Sequence, residues 1–466
     1  MDIACRLRTE SPLGTPTSSA ALAAKYDARV PRYTSYPTAP HFHAGIGESD
    51  YRAWLAAVEP RRPISLYLHI PFCRQLCWYC GCHTGIARRR APIADYVDAL
   101  LDEIELVADA IGQRLPVAAI HFGGGTPNSL EPDDIDRIFM ALHRAFAIGP
   151  DAEIAAEIDP RALTRRWVEA AVSNGLKRAS LGVQDIDPTV QKAINRHQPW
   201  AVTVRAVDSL RDAGVASINL DLMYGLPHQT AATIEETIAQ VLKAEPDRIA
   251  LFGYAHVPWM KPAQKLIPED ALPGADERYK QQALAAELLS RADYVSVGLD
   301  HFARGDDPLA RALATGTLHR NFQGYTTDDA DMLIGFGASS IGRLHDGYVQ
   351  NLAKTFDWRN ALAAGRLPIA RGAALTDDDR LRGEIIERLM CEFRVDLDAL
   401  ADRPGFAPDR FAVECGRLTP FEADGLVNRA DNKIVVTDRG RPFVRSICAV
   451  FDRYLDAATQ RHSRGI

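Results

Sequence analysis

Residues 64–82 read ISLYLHIPFCRQLCWYCGC and join an apolar, strand-like run to a dense group of cysteines. Cys73, Cys77 and Cys80 follow the spacing C-x3-C-x2-C. Three thiolates at this spacing can hold three irons of a cubane iron–sulfur cluster, which leaves the fourth iron with an open coordination position. An open iron can bind and activate a second molecule, whereas a cluster with four protein ligands usually only passes electrons. The stretch therefore predicts a buried strand followed by a catalytic iron–sulfur loop.

Other interpretations of the cysteines stay open. A zinc site would typically use paired C-x2-C knuckles from two separate places, and a purely structural cluster would need no open iron. Cys82 could be a free thiol, a fourth cluster ligand or a catalytic hydrogen donor. The other cysteines are scattered, and we expect them to be ordinary core or surface thiols: Cys5, Cys391, Cys415 and Cys448.

Composition narrows the class of protein. The chain has 466 residues, 47% hydrophobic and 25% charged, which is typical of a globular enzyme. A chain of this length is too long for one ordinary hydrophobic core unless it forms a barrel with an appended domain. A formal charge of −7 argues against a broad nucleic-acid or membrane footprint. The low cysteine usage, the polar N-terminus and the lack of a long charge-free apolar run predict a cytoplasmic protein without a membrane span.

From residue 64 onward, short apolar runs alternate with helical patterns. Ile135, Ile138 and Leu142, for example, recur at helical spacing and mark one helix face. Six such repeats predict an α/β fold with a parallel sheet, a partial (β/α)6 TIM-like barrel with its chemistry at the carboxyl ends of the strands. The strand-like runs are Ile64–Ile70, Val117–Phe122, Glu153–Ile158, Arg178–Gly182, Ser217–Met223 and Arg248–Tyr254, and the helical ones are Ala94–Ile111, Pro132–Phe146, Thr164–Asn174, Ala201–Ala213 and Ala231–Ala244.

The chain divides into three predicted parts. Residues 1–60 form an N-terminal arm rich in prolines and aromatics. Residues 61–365 form the barrel with an extension, in which a helix over 276–291 and a strand over 294–299 could lengthen the sheet. Residues 366–466 form a mostly helical domain.

This last domain resembles a winged-helix module. Thr376 precedes three aspartates, as a helix N-cap does. Residues 425–437 predict a hairpin that turns near Asp431-Asn432 and precedes a further helix. The domain is not strikingly basic, so a lid or packing role is favoured over nucleic-acid binding.

A second motif, His121-Phe122-Gly123-Gly124-Gly125-Thr126-Pro127, ends the second predicted strand. Consecutive glycines let a ligand approach bare backbone and expose N–H groups to a carboxylate or phosphate. The motif lacks the G-x-x-x-x-G-K-[ST] pattern of a nucleotide triphosphate loop. Because it follows the cysteine loop, the motif indicates a binding site for an amino-acid-like ligand.

The two motifs together resemble the radical S-adenosylmethionine superfamily, and further stretches resemble its oxygen-independent coproporphyrinogen III oxidases. The similarity covers nearly the whole chain. It is carried by Tyr33-Thr34-Ser35-Tyr36-Pro37-Thr38, Leu68-His69-Ile70-Pro71-Phe72-Cys73, Cys80-Gly81-Cys82, Glu157-Ile158-Asp159-Pro160, Gly182-Val183-Gln184-Asp185, Asp221-Leu222-Met223-Tyr224-Gly225-Leu226-Pro227 and His319-Arg320-Asn321-Phe322-Gln323-Gly324-Tyr325-Thr326-Thr327.

The resemblance implies a reaction. A 4Fe–4S cluster cleaves S-adenosylmethionine to a 5′-deoxyadenosyl radical, which takes a hydrogen atom from a carbon too weakly acidic for a side-chain base. Two propionates of coproporphyrinogen III are oxidatively decarboxylated to vinyl groups, giving protoporphyrinogen IX. Two S-adenosylmethionine molecules are consumed and two carbon dioxide molecules leave. A flavodoxin- or ferredoxin-type reductant and a monomeric state are also implied.

The resemblance also assigns residues. The cluster ligands are Cys73, Cys77 and Cys80, and Cys82 is the catalytic candidate. The S-adenosylmethionine contacts, some to a second molecule, are Tyr67, Tyr79, Gly124, Gly125, Thr126, Glu157, Gln184, Arg196, Asp221, Ala255 and Ile341.

Each of these assignments has a structural alternative. Glu157 and Asp221 end buried-type strands and could instead form ion pairs with a neighbouring Arg or Lys. Gln184 could stabilise its loop, Arg196 could be a surface arginine, and Tyr67 could be a core residue.

The substrate carries four propionates, so cationic side chains should line its pocket. Candidates are Arg32, Arg304, His319 and Arg320, whereas His301 and His319 could equally be ordinary hydrogen-bonded histidines. Gly253 stands where the family often has Asn, which puts one polar contact in doubt.

A haem-binding chaperone on the same scaffold is the nearest alternative. Such relatives typically lack the Gly81-Cys82 pair and the segment Asn321–Thr327, and both are present here. A radical methylase would need a different substrate-binding half. The oxidase interpretation is therefore favoured.

Overall fold

The computed structural model describes residues 19–26, 29–404, 406–407 and 409–455. The predictions for Cys5, for the arm before residue 19 and for residues 456–466 lie outside the described residues.

A 12-stranded sheet organises the fold. Its six central strands correspond to the predicted apolar runs and pair in parallel in chain order. In such a sheet the connecting helices cover the faces, which explains why the strands are apolar. They are β1 (Ile64–Ile70), β2 (Pro116–Gly124), β3 (Ala147–Ile158), β4 (Arg178–Gln184), β5 (Ser217–Tyr224) and β6 (Arg248–Gly253).

Shorter strands extend this sheet at both ends. They are β7 (Tyr294–Val297), β8 (His301–Arg304), β11 (Leu333–Phe336), β12 (Ile341–Leu344), β13 (Gly347–Asn351) and β14 (Ile369–Ala374), while β9 (His319–Asn321) and β10 (Gly324–Thr326) form a separate hairpin. β11 joins β1 in parallel, and β12, β13 and β14 continue antiparallel beyond it. At the other end, β8 pairs with β6 and β7 is the edge strand. Within the described residues the edge strands do not pair with each other, so the sheet is open and the α/β prediction is confirmed.

The predicted crossover helices all form within a few residues of their expected bounds. The helices are α1 (Ser19–Tyr26), α2 (Glu48–Ala56), α3 (Arg90–Ile111), α4 (Pro132–Ala145), α5 (Arg165–Ser173), α6 (Pro188–Ala193), α7 (Trp200–Asp212), α8 (Ala231–Leu242), α9 (Ala275–Arg291), α10 (Pro308–Thr315), α11 (Thr355–Ala363), α12 (Asp377–Glu392), α13 (Ala412–Arg417), α14 (Thr419–Ala423) and α15 (Val444–Cys448). Among the described residues, no helix has both the length and the apolar character to cross a membrane.

The first strand, β1, has one face in the main hydrophobic core and the other towards the candidate active site. Ile64, Leu66 and Leu68 are completely buried and pack in the main hydrophobic cluster with residues of α3. Side chains alternate along a strand, so Tyr67 and His69 point to the opposite face. The chemistry described below lies on that second face.

The C-terminal part is mostly helical, as predicted. Thr376 and Asp379 form the capping box that begins α12. The predicted hairpin turns at Asp431, and a strand that the sequence did not reveal completes a three-stranded antiparallel sheet. These strands are β15 (Arg394–Asp396), β16 (Val427–Ala430) and β17 (Lys433–Val436).

The arm packs on this C-terminal part. Leu22, Tyr26, Tyr33 and Tyr36 belong to the same hydrophobic cluster as the buried face of α12. Segments from the two ends of the described chain therefore form one body beside the sheet.

Candidate active site

The cysteine loop follows β1 at the carboxyl edge of the sheet. Phe72-Cys73 pairs in parallel with Gly85-Ile86, which closes the loop at its base. Inside the loop, the Trp78 N–H donates to the carbonyl of Ile194 at 2.9 Å. The loop is thus anchored to the body of the protein on two sides.

Hydrogen-bond donors surround two of the three predicted cluster ligands. The Thr84 hydroxyl donates to Cys73 Sγ at 3.2 Å, and Thr126 Oγ1 lies 3.4 Å from the same sulfur. Arg161 and Arg196 donate to Cys77 Sγ at 3.6 and 3.5 Å. Donors of this kind stabilise thiolates and tune a bound cluster.

The third ligand is coupled to the candidate hydrogen donor. A hydrogen bond with Cys82 lowers the pKa of Cys80 to about 6, and the same bond raises the pKa of Cys82 well above its ordinary value. Cys82 is exposed, and its carbonyl accepts a bond of 3.2 Å from Lys261 Nζ. The two thiols of this pair are therefore chemically unequal.

These three thiols are the ligand type that an iron–sulfur cluster takes. In the described part of the chain, no three His, Cys, Asp or Glu side chains converge closely enough to hold one ion. In a cubane cluster each thiolate binds its own iron, so the three sulfurs surround the cluster and do not share one ion.

The glycine turn packs against the cysteine loop. A Cβ at Gly125 would lie 2.6 Å from Thr84 Oγ1 and 2.7 Å from the Phe72 nitrogen, and one at Gly124 would lie 2.6 Å from the His69 ring. The Gly125 N–H donates to the Ile70 carbonyl at 2.9 Å. The expectation that these N–H groups face a ligand is wrong for Gly124 and Gly125, because both donate within the protein and serve close packing.

Glu157 is the residue that accepts the hydrogen bond from the Gly124 N–H. Its carboxylate accepts bonds from the Gly124 N–H at 3.1 Å and lies 3.4 Å from His121 Nε2. Burial alone would raise the pKa of Glu157, but the hydrogen bond and charge of His121 outweigh it and hold the pKa below its ordinary value. Glu157 therefore stays ionised at the strand end.

Asp221 lies in a different environment. Ser180 and Asn219 donate to its two oxygens at 2.9 and 2.7 Å. Burial, together with the charge of Glu157, raises its pKa to about 7. Among the described residues neither carboxylate forms a salt bridge with Arg or Lys, so the ion-pair alternative is wrong.

Arg196 is not on the surface. Its side chain is 7% exposed and donates to the Gly182 carbonyl at 2.6 Å while lying 3.5 Å from Asp159. Gln184 has a left-handed φ of 70° at the bulge that ends β4, and its amide nitrogen lies next to Gly182. Both side chains are thus directed at the end of one strand.

The remaining predicted contacts flank this centre. Tyr67 bonds His69 through its hydroxyl at 3.0 Å and stacks near His121. The Ile341 carbonyl lies against Gly335, the partner of Tyr67 in the sheet register. Ile341 is thereby connected to Tyr67 through Gly335.

Gln264, which the sequence did not single out, connects Tyr79 and Ala255. Its buried side chain donates to the Tyr79 carbonyl at 2.9 Å and to the Ala255 carbonyl at 3.2 Å. Arg161 was also missed, although a cation directly after a strand-ending Asp-Pro pair is a usable signal. Gln264 has no such signal in its surroundings.

The substrate candidates separate into two groups. Arg32 and Arg320 line a cavity of about 330 Å³ together with Ala255, and Arg320 also lines the larger cavity beside His319. His319 instead pairs with Glu387 at 3.2 Å beside a second cavity of about 750 Å³. Arg304 is exposed and lies 3.7 Å from Asp306, outside both cavities. His301 bonds Asp300 at 2.7 Å, in line with an ordinary hydrogen-bonded histidine.

The chain is similar to known proteins along nearly its whole length. The radical SAM superfamily matches residues 67–241 and the HemN C-terminal domain residues 375–443. The oxygen-independent coproporphyrinogen III oxidase of Bradyrhizobium diazoefficiens is 50% identical, covering 96% of this chain and 99% of that protein. The protein of the same name from Synechocystis sp. is 42% identical, covering 96% and 98%. Among solved structures, the Escherichia coli coproporphyrinogen III oxidase, described as a radical SAM enzyme, aligns with a TM-score of 0.87 at 38% identity, covering 91% of this chain and 98% of its own.

Proposed function

The chain belongs to the oxygen-independent coproporphyrinogen III oxidases of the radical SAM superfamily, and on this premise we propose how its residues divide the work. The reaction is the oxidative decarboxylation of coproporphyrinogen III in anaerobic haem biosynthesis. The similarity to named oxidases, at 50% identity over 96% of the chain, is the observation that carries this function.

Cys73, Cys77 and Cys80 would hold the 4Fe–4S cluster. When bound, the cluster supplies the electron that cleaves S-adenosylmethionine to a 5′-deoxyadenosyl radical. The hydroxyl and guanidinium donors around Cys73 and Cys77 support this role, because they offset the negative charge that a thiolate-bound cluster carries.

The strand-end side chains would bind S-adenosylmethionine. Glu157, held ionised by His121, can accept hydrogen bonds from an amine or ribose hydroxyl. Arg196 has a buried Nε without a hydrogen-bond partner, which leaves it a donor for a carboxylate. Tyr67, Tyr79, Thr126, Gln184, Asp221, Ala255 and Ile341 would complete the contacts. Gly124 and Gly125 would act by their shape, not by donating N–H groups.

Two S-adenosylmethionine molecules would be used for each substrate, one for each propionate converted to a vinyl group. Each conversion would pass one hydrogen atom to the 5′-deoxyadenosyl radical and one electron to an external electron acceptor, and would release one carbon dioxide. Cys82 would be the catalytic cysteine of the site, which its exposed position in the loop supports. A flavodoxin- or ferredoxin-type protein would supply the electron, and the enzyme would act as a cytoplasmic monomer.

A product assay under argon tests the function. Protein reconstituted anaerobically with iron and sulfide is expected to convert coproporphyrinogen III to protoporphyrinogen IX. Two molecules of 5′-deoxyadenosine and of carbon dioxide should form for each product. Haem binding without carbon dioxide release would support the chaperone alternative instead, and a 1:1 ratio of 5′-deoxyadenosine to product would contradict the use of two S-adenosylmethionine molecules.

A further inference from the structure

The cavity beside Ala255 is strongly cationic. Five arginines line it, Arg29, Arg32, Arg278, Arg320 and Arg445, against a single carboxylate, Asp300. Five positive charges and one negative charge leave an excess of four. Such an excess inside a cavity raises the free energy of the protein unless an anion binds there.

Arg320 carries donors that the protein does not use. Its side chain is 5% exposed, yet its Nε and Nη1 have no hydrogen-bond partner, and its Nη1 lies 4.0 Å from Asp300. Arg278 Nε is likewise buried without a partner. Buried donors in native proteins are nearly always paired, so donors left open beside a cavity point to a ligand.

Three separate parts of the chain hold these arginines in place. The Arg32 guanidinium donates to the Gly253 carbonyl at 3.3 Å, and Arg320 donates to the Arg32 carbonyl at 3.4 Å. Arg445, from α15, donates to the carbonyls of Val30 and Pro31 and so fixes the segment that carries Arg32. The cavity is therefore built before any ligand arrives.

Gly253 also shapes the cavity. A Cβ at this position would lie 2.8 Å from the Tyr224 hydroxyl and 3.4 Å from Arg278 Nη2. The absence of a side chain lets Tyr224 and Arg278 lie against the backbone at the end of β6. The glycine that departs from the family pattern thus makes room for an arginine.

The cavity adjoins the cysteine loop. Ala255 forms part of its wall, and Gln264 bonds both the Ala255 carbonyl and the Tyr79 carbonyl of that loop. Ligand sites commonly occupy roughly 300–1,000 Å³, so a cavity of about 330 Å³ suits one edge of a large molecule better than a whole tetrapyrrole.

We infer that this cavity is a carboxylate-binding subsite that holds propionate side chains of the porphyrinogen, with Arg320 and Arg278 as its main donors. The inference rests on the proposed function for the identity of the substrate. The guanidinium fork binds a carboxylate through two parallel bonds, which fixes the orientation of the macrocycle. An edge held here leaves the rest of the molecule directed along the strand ends towards the cysteine loop.

The test compares arginine variants for binding of an air-stable tetracarboxylate, coproporphyrin III, followed by its absorbance change. Arg278→Gln and Arg320→Gln are each expected to weaken its binding about 10- to 100-fold, since a hydrogen bond to a charged group is lost. Arg291→Gln is the matched control. It removes an arginine from the same helix as Arg278, but one that is exposed and paired with Glu287. It should bind as the wild type does.

Two further measurements assign each outcome. Affinity for S-adenosylmethionine should stay within twofold of wild type in all three variants, and circular dichroism should show unchanged melting for Arg278→Gln even if Arg320→Gln is less stable. Equal loss of affinity for S-adenosylmethionine and coproporphyrin III would overturn the inference, since the cavity would then belong to the cofactor. Wild-type binding of coproporphyrin III by Arg278→Gln would overturn it as well.

The product assay separates this inference from the proposed function. Turnover of coproporphyrinogen III by wild type, with an unchanged KM in Arg278→Gln, would contradict the carboxylate subsite but agree with the proposed function. Arginine-dependent binding of coproporphyrin III without any carbon dioxide release would support the carboxylate subsite and contradict the proposed function.

Discussion

The cysteine loop and the arginine cavity are neighbours that are built in opposite ways. The loop takes its three predicted iron ligands from residues 73–80 of one continuous segment. The cavity takes Arg32 from the arm, Arg278 and Arg320 from the sheet extension and Arg445 from the C-terminal part. A short motif fixes the chemistry of the loop, whereas the chemistry of the cavity exists only after the whole chain has folded.

This difference predicts different responses to mutation. A change in the loop removes a chemical step outright, because no other residue can replace a cluster ligand. A change in the cavity weakens a charge that several arginines share. We therefore expect losses of function to grade from complete in the loop to partial in the cavity.

The largest effect is expected from the cluster ligands. Cys73→Ser, Cys77→Ser or Cys80→Ser should abolish cluster binding and activity, since an alcohol does not replace a thiolate on iron. Cys82→Ser is the matched variant, which should keep full iron and sulfide content but lose product formation. Iron analysis and absorbance of anaerobically reconstituted protein measure the cluster. Loss of the cluster in Cys82→Ser would show that the assignment of three ligands is wrong.

The glycine turn should show the next largest effect. Gly125→Ala places a methyl group 2.7 Å from the Phe72 nitrogen and 2.8 Å from the Phe72 carbonyl oxygen, so the strand that carries Cys73 must shift. A displacement near 1 Å at a reacting centre can lower the rate about 100-fold. Turnover rate and iron content test this expectation. Gly149→Ala, where a Cβ meets nothing within 4 Å, should be close to wild type.

A smaller effect is expected from Arg445, through which the C-terminal part is hydrogen-bonded to the arm. Arg445→Leu leaves the carbonyls of Val30 and Pro31 without their donor, which should lower the free energy of unfolding by about 1–3 kcal/mol. It should also raise the KM for coproporphyrinogen III about tenfold while affinity for S-adenosylmethionine is kept. Urea denaturation and steady-state kinetics measure the two effects. Arg394→Gln, at a 69% exposed surface pair with Glu392, should alter neither quantity appreciably.

The smallest effect concerns the pH dependence of stability. The folded pKa of Asp221 is about 7, above the unfolded value of 3.8, so the folded chain keeps a proton that the unfolded chain has released between these pH values. The contribution of Asp221 to stability should therefore fall as pH rises from about 4 to 7. Glu103 and Asp185, whose pKa values burial also raises to about 7, act in the same direction. Asp221→Asn should reduce the slope without removing it, as urea denaturation at pH 5 and pH 8 would show. An unchanged slope would contradict the raised pKa.

The sequence predicted the parallel sheet well because long apolar strands alternate with amphipathic helices. It did not reveal β11, since four residues, Leu333–Phe336, are too short to stand out as a strand. The cysteine ligands could be assigned because their chemistry depends on local spacing. The roles of Gly124 and Gly125 were misjudged, since a glycine that exposes backbone and one that avoids a clash look alike in a sequence.

The cavity shows where sequence reasoning reached its limit. Arg32 and Arg320 were found through motifs that resemble the family, while Arg278 lies in an ordinary amphipathic helix and Arg445 in a short one. Nothing in their spacing reveals that both face the same cavity. Only the tertiary structure brings them together, and Arg304, which was predicted as a candidate for the substrate pocket, proved to face solvent.

The pairing of β1 with β11 has a consequence for biosynthesis. Ser65 pairs with Leu333, and the sequence distance between them is 333 − 65 = 268 residues. At roughly 5–20 residues per second, the ribosome needs about 13–54 s to synthesise that interval. During this time the newly made first strand has an unpaired edge directly before the cysteines. The sheet on this side of the first strand can therefore close only after the later strand has emerged.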